Sequence, residues 1–231
     1  MLRKETASHD MIELIKELQS MELLKDFILA GGTALSLQLE HRKSVDIDLF
    51  STSRHDYNRI FEYLCSKYNN VNVVYRDEGT LQIKINGIKV DLVSIKGNML
   101  EPPINDENIV MFGVKDIAAM KLLAIQGRKK PKDYADVAYL IETIGLNEML
   151  ECYKKRYDKE NIIDVKKALS NTNELNPYEW EKVEMIRNDI PLSMVKRVID
   201  DALLAHEKEY RKNKKHGFNI KKLFGSHFNF W

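Results

Sequence analysis

The chain has only two cysteines in 231 residues, Cys65 and Cys152, far apart in sequence. That excludes a disulfide framework and a cysteine-built zinc site. No window approaches the ~20 apolar residues needed to cross a bilayer. The opening Met1-Leu2-Arg3-Lys4-Glu5 leads into a charged amphipathic stretch rather than an apolar leader. A soluble cytoplasmic protein without a membrane partner is the expectation. An excess of one charge is also missing. Lys+Arg 36 against Asp+Glu 35 leaves a net +1, so any nucleic-acid contact must come from a local patch. The 6 histidines are scattered without paired ligand spacing, and no G-x-x-x-x-G-K-[ST] phosphate loop is present. Neither cysteine sits in a nucleophile signature, and Ser/His/Asp catalysis has no support.

What is present divides by pattern. Apolar residues between His9 and Asp26 recur at the helical period. Phe27–Ala30 reads as a short buried strand closed by Gly31-Gly32, and Thr33–Leu39 as helical. Val45–Phe50 alternates as a strand with Val45, Ile47 and Leu49 toward the core; Tyr57–Tyr68 reads as a helix and Val71–Tyr75 as a strand. Two further alternating runs, 81–85 and 88–92, flank Asn86-Gly87, a strong hairpin signal. After Pro102-Pro103 the composition changes, and from Val114 onward the patterns are helical: 114–126, 131–143, 146–157, 162–169, 178–187 and 192–210. The expected organisation is an α/β core over residues 1–112, a helical unit over 113–206 that completes the active site, and a tail over 207–231. That tail interleaves lysine and arginine with Phe218, Phe224, Phe228, Phe230 and Trp231. It suits either RNA binding or docking on the body or a partner.

The chemistry concentrates in a few carboxylates. On a strand, Asp46 and Asp48 share a face. Two carboxylates at that spacing repel unless a cation lies between them, and a hard, oxygen-seeking ion such as Mg²⁺, with Mn²⁺ the alternative, suits the role. Asp91 projects from the face opposite Ile88, Val90 and Leu92 in an otherwise apolar strand, where a carboxylate needs a partner. If the two strands are neighbours, Asp46, Asp48 and Asp91 converge as metal ligands and catalytic groups. Upstream, Gly31-Gly32-Thr33 joins a strand to a helix. There backbone N–H groups approach a phosphate and Thr33 adds a hydroxyl, or Thr33 simply caps the helix. Lys121 and Arg128 lie two turns apart on one helical face. Lys121 suits a triphosphate; Arg128 reaches the same phosphates or pairs with Asp133. Asp136 orients Lys121 or assists the acceptor. The plainer reading is an ion-pair cluster tying two helices together.

The run Gly31-Gly32-Thr33-Ala34-Leu35, then Arg42-x-Ser44-x-Asp46-x-Asp48-Leu49, resembles the AbiEii/MenT-type nucleotidyltransferases. These are toxins of type IV abortive-infection toxin–antitoxin systems in the DNA polymerase β-like superfamily. The likeness continues through Lys115–Arg128 to Lys132-Asp133-Tyr134-Ala135-Asp136. It implies an α/β (α+β) nucleotidyltransferase fold, a mixed sheet flanked by helices and followed by a C-terminal helical domain. It also implies NMP transfer from a nucleoside triphosphate to an acceptor hydroxyl, a cognate antitoxin as partner, and, from some members, tRNA 3′ ends as acceptor. Lys121 and Asp136 match motif positions catalytic in the family, and Ser44 matches a position near the nucleotide. Two other readings stay open: a non-catalytic binding module on the same fold, and a small-molecule (antibiotic-type) nucleotidyltransferase. An acidic acceptor pocket would favour the second; a basic groove would favour RNA.

Overall fold

In a computed structural model, backbone is described for residues 4–186 and 190–223 and side chains for 5–186 and 190–213. The aromatic part of the tail, from Phe218 to Trp231, lies outside the described side chains. After α1 (His9–Ser20) the chain forms β1 (Ile28–Ala30), α2 (Gly31–Leu39), β2 (Asp46–Ser51), α3 (Tyr57–Lys67), β3 (Val71–Arg76), β4 (Thr80–Ile85) and β5 (Ile88–Ser94). A short pair, β6 (Ile104–Asp106) and β7 (Ile109–Met111), precedes α4 (Val114–Gly127), α5 (Pro131–Ile144), α6 (Leu146–Tyr157), α7 (Ile163–Ser170), α8 (Pro177–Trp180) and α9 (Leu192–Leu223). The strands form one mixed seven-stranded sheet, ordered β3-β4-β5-β2-β1-β7-β6.

Local chemistry accounts for most of these elements. Ser8 caps α1 by accepting from Met11 N–H, and Asp56 caps α3 by accepting from Asn58 and Arg59 N–H. Pro131 opens α5, where its fixed φ fits and its missing N–H costs nothing. Asn86 and Gly87 sit at φ 51° and 86°, the left-handed pair that a two-residue hairpin requires. The core joins Ile47, Leu49, Val90 and Leu92 from the central strands to Leu122 and Ile125 of α4 and Tyr134 and Leu140 of α5, all at most 2% exposed.

Three expectations need correction. Val45 is 73% exposed and lies outside the strand, because the ladder begins only at Asp46 opposite Lys89. The stretch 178–187 is not one helix: α8 ends at Trp180, and the chain then runs extended beside residues 41–43. There Lys43 N–H donates to the Glu184 carbonyl at 2.8 Å and Ile186 N–H to the His41 carbonyl at 3.0 Å. No strand was expected between the Asn86-Gly87 hairpin and residue 113, yet β6 and β7 lie there and extend the α/β core. β7 pairs in parallel with β1, and the β6–β7 turn places Glu107 and Asn108 at φ 51° and 65°. That asparagine, ahead of Ile109-Val110-Met111, was the turn signal.

Candidate active site

Strands β2 and β5 run parallel, with Asp46 opposite Lys89, Asp48 opposite Asp91 and Phe50 opposite Val93. Alternate residues of a strand share a face, so these pairs form three successive rows on the side away from Ile47 and Leu49. The convergence expected of the acids therefore rests on register: the connection through α3 and the β3–β4 hairpin returns the chain so that β5 lies directly beside β2.

The middle row is only partly satisfied. Asp91 is 8% exposed. Its Oδ2 accepts from Lys89 Nζ at 2.7 Å and Gln82 Nε2 at 3.2 Å, while Oδ1 is buried without a partner among the described residues. No hydrogen bond from a described residue reaches the Asp48 carboxylate. Burial raises its pKa to about 6; repulsion from Asp91 and Asp46 adds to this and the Lys121 charge opposes it. Asp46 accepts from Lys132 Nζ at 3.1 Å. Among the described residues no three acid, histidine or cysteine side chains are closed into a metal cage. Instead, the Lys89 and Lys132 ammonium groups balance Asp91 and Asp46. An orphaned carboxylate oxygen beside a second carboxylate pushed toward protonation is nevertheless an all-oxygen donor set that fits a hard divalent cation.

The mouth of α2 closes over this row. Its N-cap, Ala30, offers no capping side chain, so the first N–H groups of the helix keep their affinity for an anion. Gly31 sits at φ +66°, and a Cβ there would lie 2.0 Å from Asp48 Oδ2; one on Gly32 would lie 2.2 Å from Arg42 Nη2. Both glycines are thus set by close approach to charged groups. Gly31→Ala should cost about 2–4 kcal/mol from strain and overpacking, read as a lower urea midpoint.

Thr33 is neither a cap nor an outward donor. The helix starts two residues before it, and its buried hydroxyl contacts Ser44 Oγ at 2.9 Å and the Asp46 carbonyl. Ser44 is 9% exposed, and its N–H donates to the Thr6 carbonyl at 2.9 Å. These two residues fix the segment that enters β2.

Behind the row lies a buried ion-pair cluster. Lys121 Nζ is 2.8 Å from Asp133 Oδ1 and 2.6 Å from Asp136 Oδ2, with its side chain 6% exposed. Arg128 Nε donates to Asp133 Oδ2 at 2.7 Å. Arg42 clasps Asp136 through Nε at 2.7 Å and Nη2 at 3.0 Å, and His41 Nε2 lies 2.7 Å from Asp136 Oδ1. Burial alone would raise Asp136, but the charges of Arg42 and Lys121 and the bonds from His41 and Arg42 hold it well below the carboxylate range. Lys121 likewise stays above its ordinary value, Asp136 and Asp133 overcoming the cost of burial. Asp133 and Asp136 thus hold the Lys121 ammonium in an ion-pair cluster, and its charge reaches Asp48. Sequence reasoning missed the roles of His41, Arg42, Lys89 and Lys132. Of these only Lys89 had a readable signal: two residues before Asp91 on a strand, it shares that residue's face.

The sequence profile of the family "Nucleotidyl transferase AbiEii toxin, Type IV TA system" matches residues 14–220. An uncharacterized protein of Aquifex aeolicus (strain VF5) is 32% identical over 185 residues, 74% of this chain and 89% of that protein. Among solved structures, JHP933 from Helicobacter pylori aligns with TM-score 0.57 at 16% identity, covering 92% of this chain and 94% of its own. The nucleotidyltransferase toxin MenT4 from Mycobacterium tuberculosis H37Rv aligns with TM-score 0.52 at 12% identity, covering 84% and 82%. At those identities the two structures speak for the fold, while the profile spans most of the chain. The chain belongs to the AbiEii family of nucleotidyltransferase toxins of type IV toxin–antitoxin systems.

Proposed function

We propose that the protein transfers a nucleoside monophosphate from a nucleoside triphosphate to an acceptor hydroxyl in a divalent-cation-dependent reaction, with RNA, in particular a tRNA 3′ end, as acceptor. The observation that carries this reading is the register pair Asp48–Asp91 beneath the uncapped mouth of α2.

Asp48 and Asp91, joined by Asp46, would hold Mg²⁺ or Mn²⁺. Such an ion, when bound, neutralises triphosphate charge and lowers the pKa of a hydroxyl. The chain's own groups do the rest. The N–H groups at Gly31 and Gly32 hold the phosphates, backed by the segment that Thr33 and Ser44 fix. Asp91 Oδ1 takes the proton of the acceptor hydroxyl as its oxygen bonds to the α-phosphorus. The bond from that phosphorus to the bridging oxygen breaks, and pyrophosphate leaves. Lys121, anchored by Asp133 and Asp136, keeps Asp48 ionised as charge accumulates, and Arg128 keeps Asp133 in place. Residues 1–112 supply the carboxylates and the phosphate turn, and 113–206 supply Lys121 and its anchors.

RNA is favoured over a cationic small molecule by the cavity beside Ser44. It has a volume of about 350 Å³ and is lined by Arg42, Lys43, Lys130, Lys132 and Lys182, against Glu179 and Glu184. Arg42, Lys43 and Lys132 are paired with Asp136, Glu184 and Asp46, so the positive charge offered to a phosphate backbone is chiefly that of Lys130 and Lys182. The test is incubation with Mg²⁺, each α-labelled NTP and total tRNA. Label should move to RNA and vanish on chelation. Label found only on protein or small molecules would refute the RNA acceptor, and no labelled product with any acceptor would refute transfer itself.

A further inference from the structure

We propose that the apolar cavity beyond the carboxylate row, on the Phe50 side, is the pocket for the nucleobase of the substrate triphosphate. This rests on the reading that Asp48 and Asp91 mark the α-phosphate. The cavity has a volume of about 590 Å³, and Phe50, Ile95, Met120, Leu123, Ala124 and Tyr157 line it. Its size and apolar character are those of small-molecule sites.

The face of the sheet is graded in the order of a nucleotide's own parts. The first row pairs Asp46 with Lys89, and Lys132 bonds Asp46. The second is the carboxylate pair. The third is Phe50 opposite Val93, without charge. Strand β1 runs antiparallel to β2 with Ala30 opposite Asp48, so the chain enters α2 toward the Asp46 end. The phosphate-binding mouth and the ammonium groups therefore lie on one side of the carboxylates, and the apolar row lies on the other. Two residues along a strand span about 6.6 Å, a step of the order that the ribose bridges between α-phosphate and base. A triphosphate seated on the mouth of α2 thus directs its base toward Phe50 and the cavity behind it.

The far wall is held by a buried arginine. Arg156 is 1% exposed and lines the same cavity. Its Nη1 donates to the Asn98 carbonyl at 3.0 Å and to Asp116, whereas Nε and Nη2 have no hydrogen-bond partner among the described residues. The guanidinium lies 5.4 Å from the Phe112 ring centroid and 5.8 Å from that of Tyr157, so it braces the Tyr157 wall of the chamber from behind.

The test varies Leu123, a cavity-lining residue of α4 that is 40% exposed. Titration calorimetry with Mg²⁺ compares a non-hydrolysable NTP with inorganic tripolyphosphate on the full chain. Wild type should bind both, the NTP more tightly. Leu123→Trp, which fills the chamber, should weaken the NTP at least tenfold and leave tripolyphosphate unchanged; Leu123→Ala should weaken the NTP by a few-fold. Unchanged NTP affinity in Leu123→Trp overturns the proposal, as does equal loss of both ligands. Unchanged NTP affinity with impaired transfer to acceptor would assign the chamber to the acceptor's terminal base, which also overturns it. If wild type binds neither ligand, the nucleotide reading itself fails, a result distinct from the other three.

Discussion

Asp48→Asn should abolish nucleotidyl transfer, by about 10³-fold or more, while making the metal-free protein more stable at neutral pH. The two directions have one cause. Asp48 lies half-buried between Asp46 and Asp91, and its pKa is raised from 3.8 to about 6. A carboxyl whose folded pKa lies above its unfolded one stabilises fully below the unfolded value, and that contribution is lost as pH rises through the folded value. At pH 7 the ionised group therefore costs the native state up to about 3 kcal/mol, which asparagine relieves. Melting curves of wild type and Asp48→Asn should coincide near pH 3.5 and separate between pH 4 and 7, the variant melting several degrees higher. Mg²⁺ at ~100 times its dissociation constant should return roughly 2.7 kcal/mol to wild type and nothing to the variant. Wild-type turnover in Asp48→Asn, or a variant that melts lower at pH 7, contradicts this assignment.

The second large effect has the opposite sign. Asp136→Ala should destabilise the fold by about 3–5 kcal/mol, because it leaves Arg42 without its buried counter-charge and removes one of the two carboxylates that hold Lys121. The urea midpoint reports this directly. Acid sensitivity should change with it. Asp136 is held well below 3.8, so its contribution is present above that value and disappears as pH falls through its lower folded pKa. Burial lowers His41 from 6.5 against the pull of Asp136, so the support it lends as a neutral ring fades on acidification below about pH 6.5. In the proposed mechanism Asp136 acts through Lys121, as a positioning residue. Asp136→Asn, which keeps hydrogen-bonding capacity toward Arg42, should therefore fold and retain measurable turnover, reduced ~10–100-fold as for other supporting contacts. Complete inactivity in a folded Asp136→Asn would make Asp136 a participant in the chemistry.

Sequence reasoning reached the site through periodicity. Alternation placed Asp46 and Asp48 on one face and Asp91 opposite its apolar neighbours. The Asn86-Gly87 turn fixed the hairpin that carries Asp91 into register with Asp48. These are local rules, and local rules suffice where strand spacing dictates the face. They failed where distant segments decide. Nothing near Arg42 announces that its guanidinium will meet Asp136, 94 residues away, and nothing around Met185 foretells its bridge to Arg42. The sequence placed Lys121 on one helix face with Arg128. That its charge is already shared between Asp133 and Asp136 follows only from the packing of α4 against α5. Thr33 was misjudged for a similar reason: the helix begins at Gly31, and the steric demand of Asp48 Oδ2, which forces glycine there, is tertiary.

The central claim is that Asp48 and Asp91 form one cation-dependent nucleotide site. The most direct measurement is calorimetric titration of a non-hydrolysable NTP into wild type and Asp91→Asn, each with Mg²⁺ and with EDTA. Under the proposed function wild type should bind only when Mg²⁺ is present, and Asp91→Asn at least tenfold more weakly under the same conditions. Equal affinity in all four titrations would contradict it.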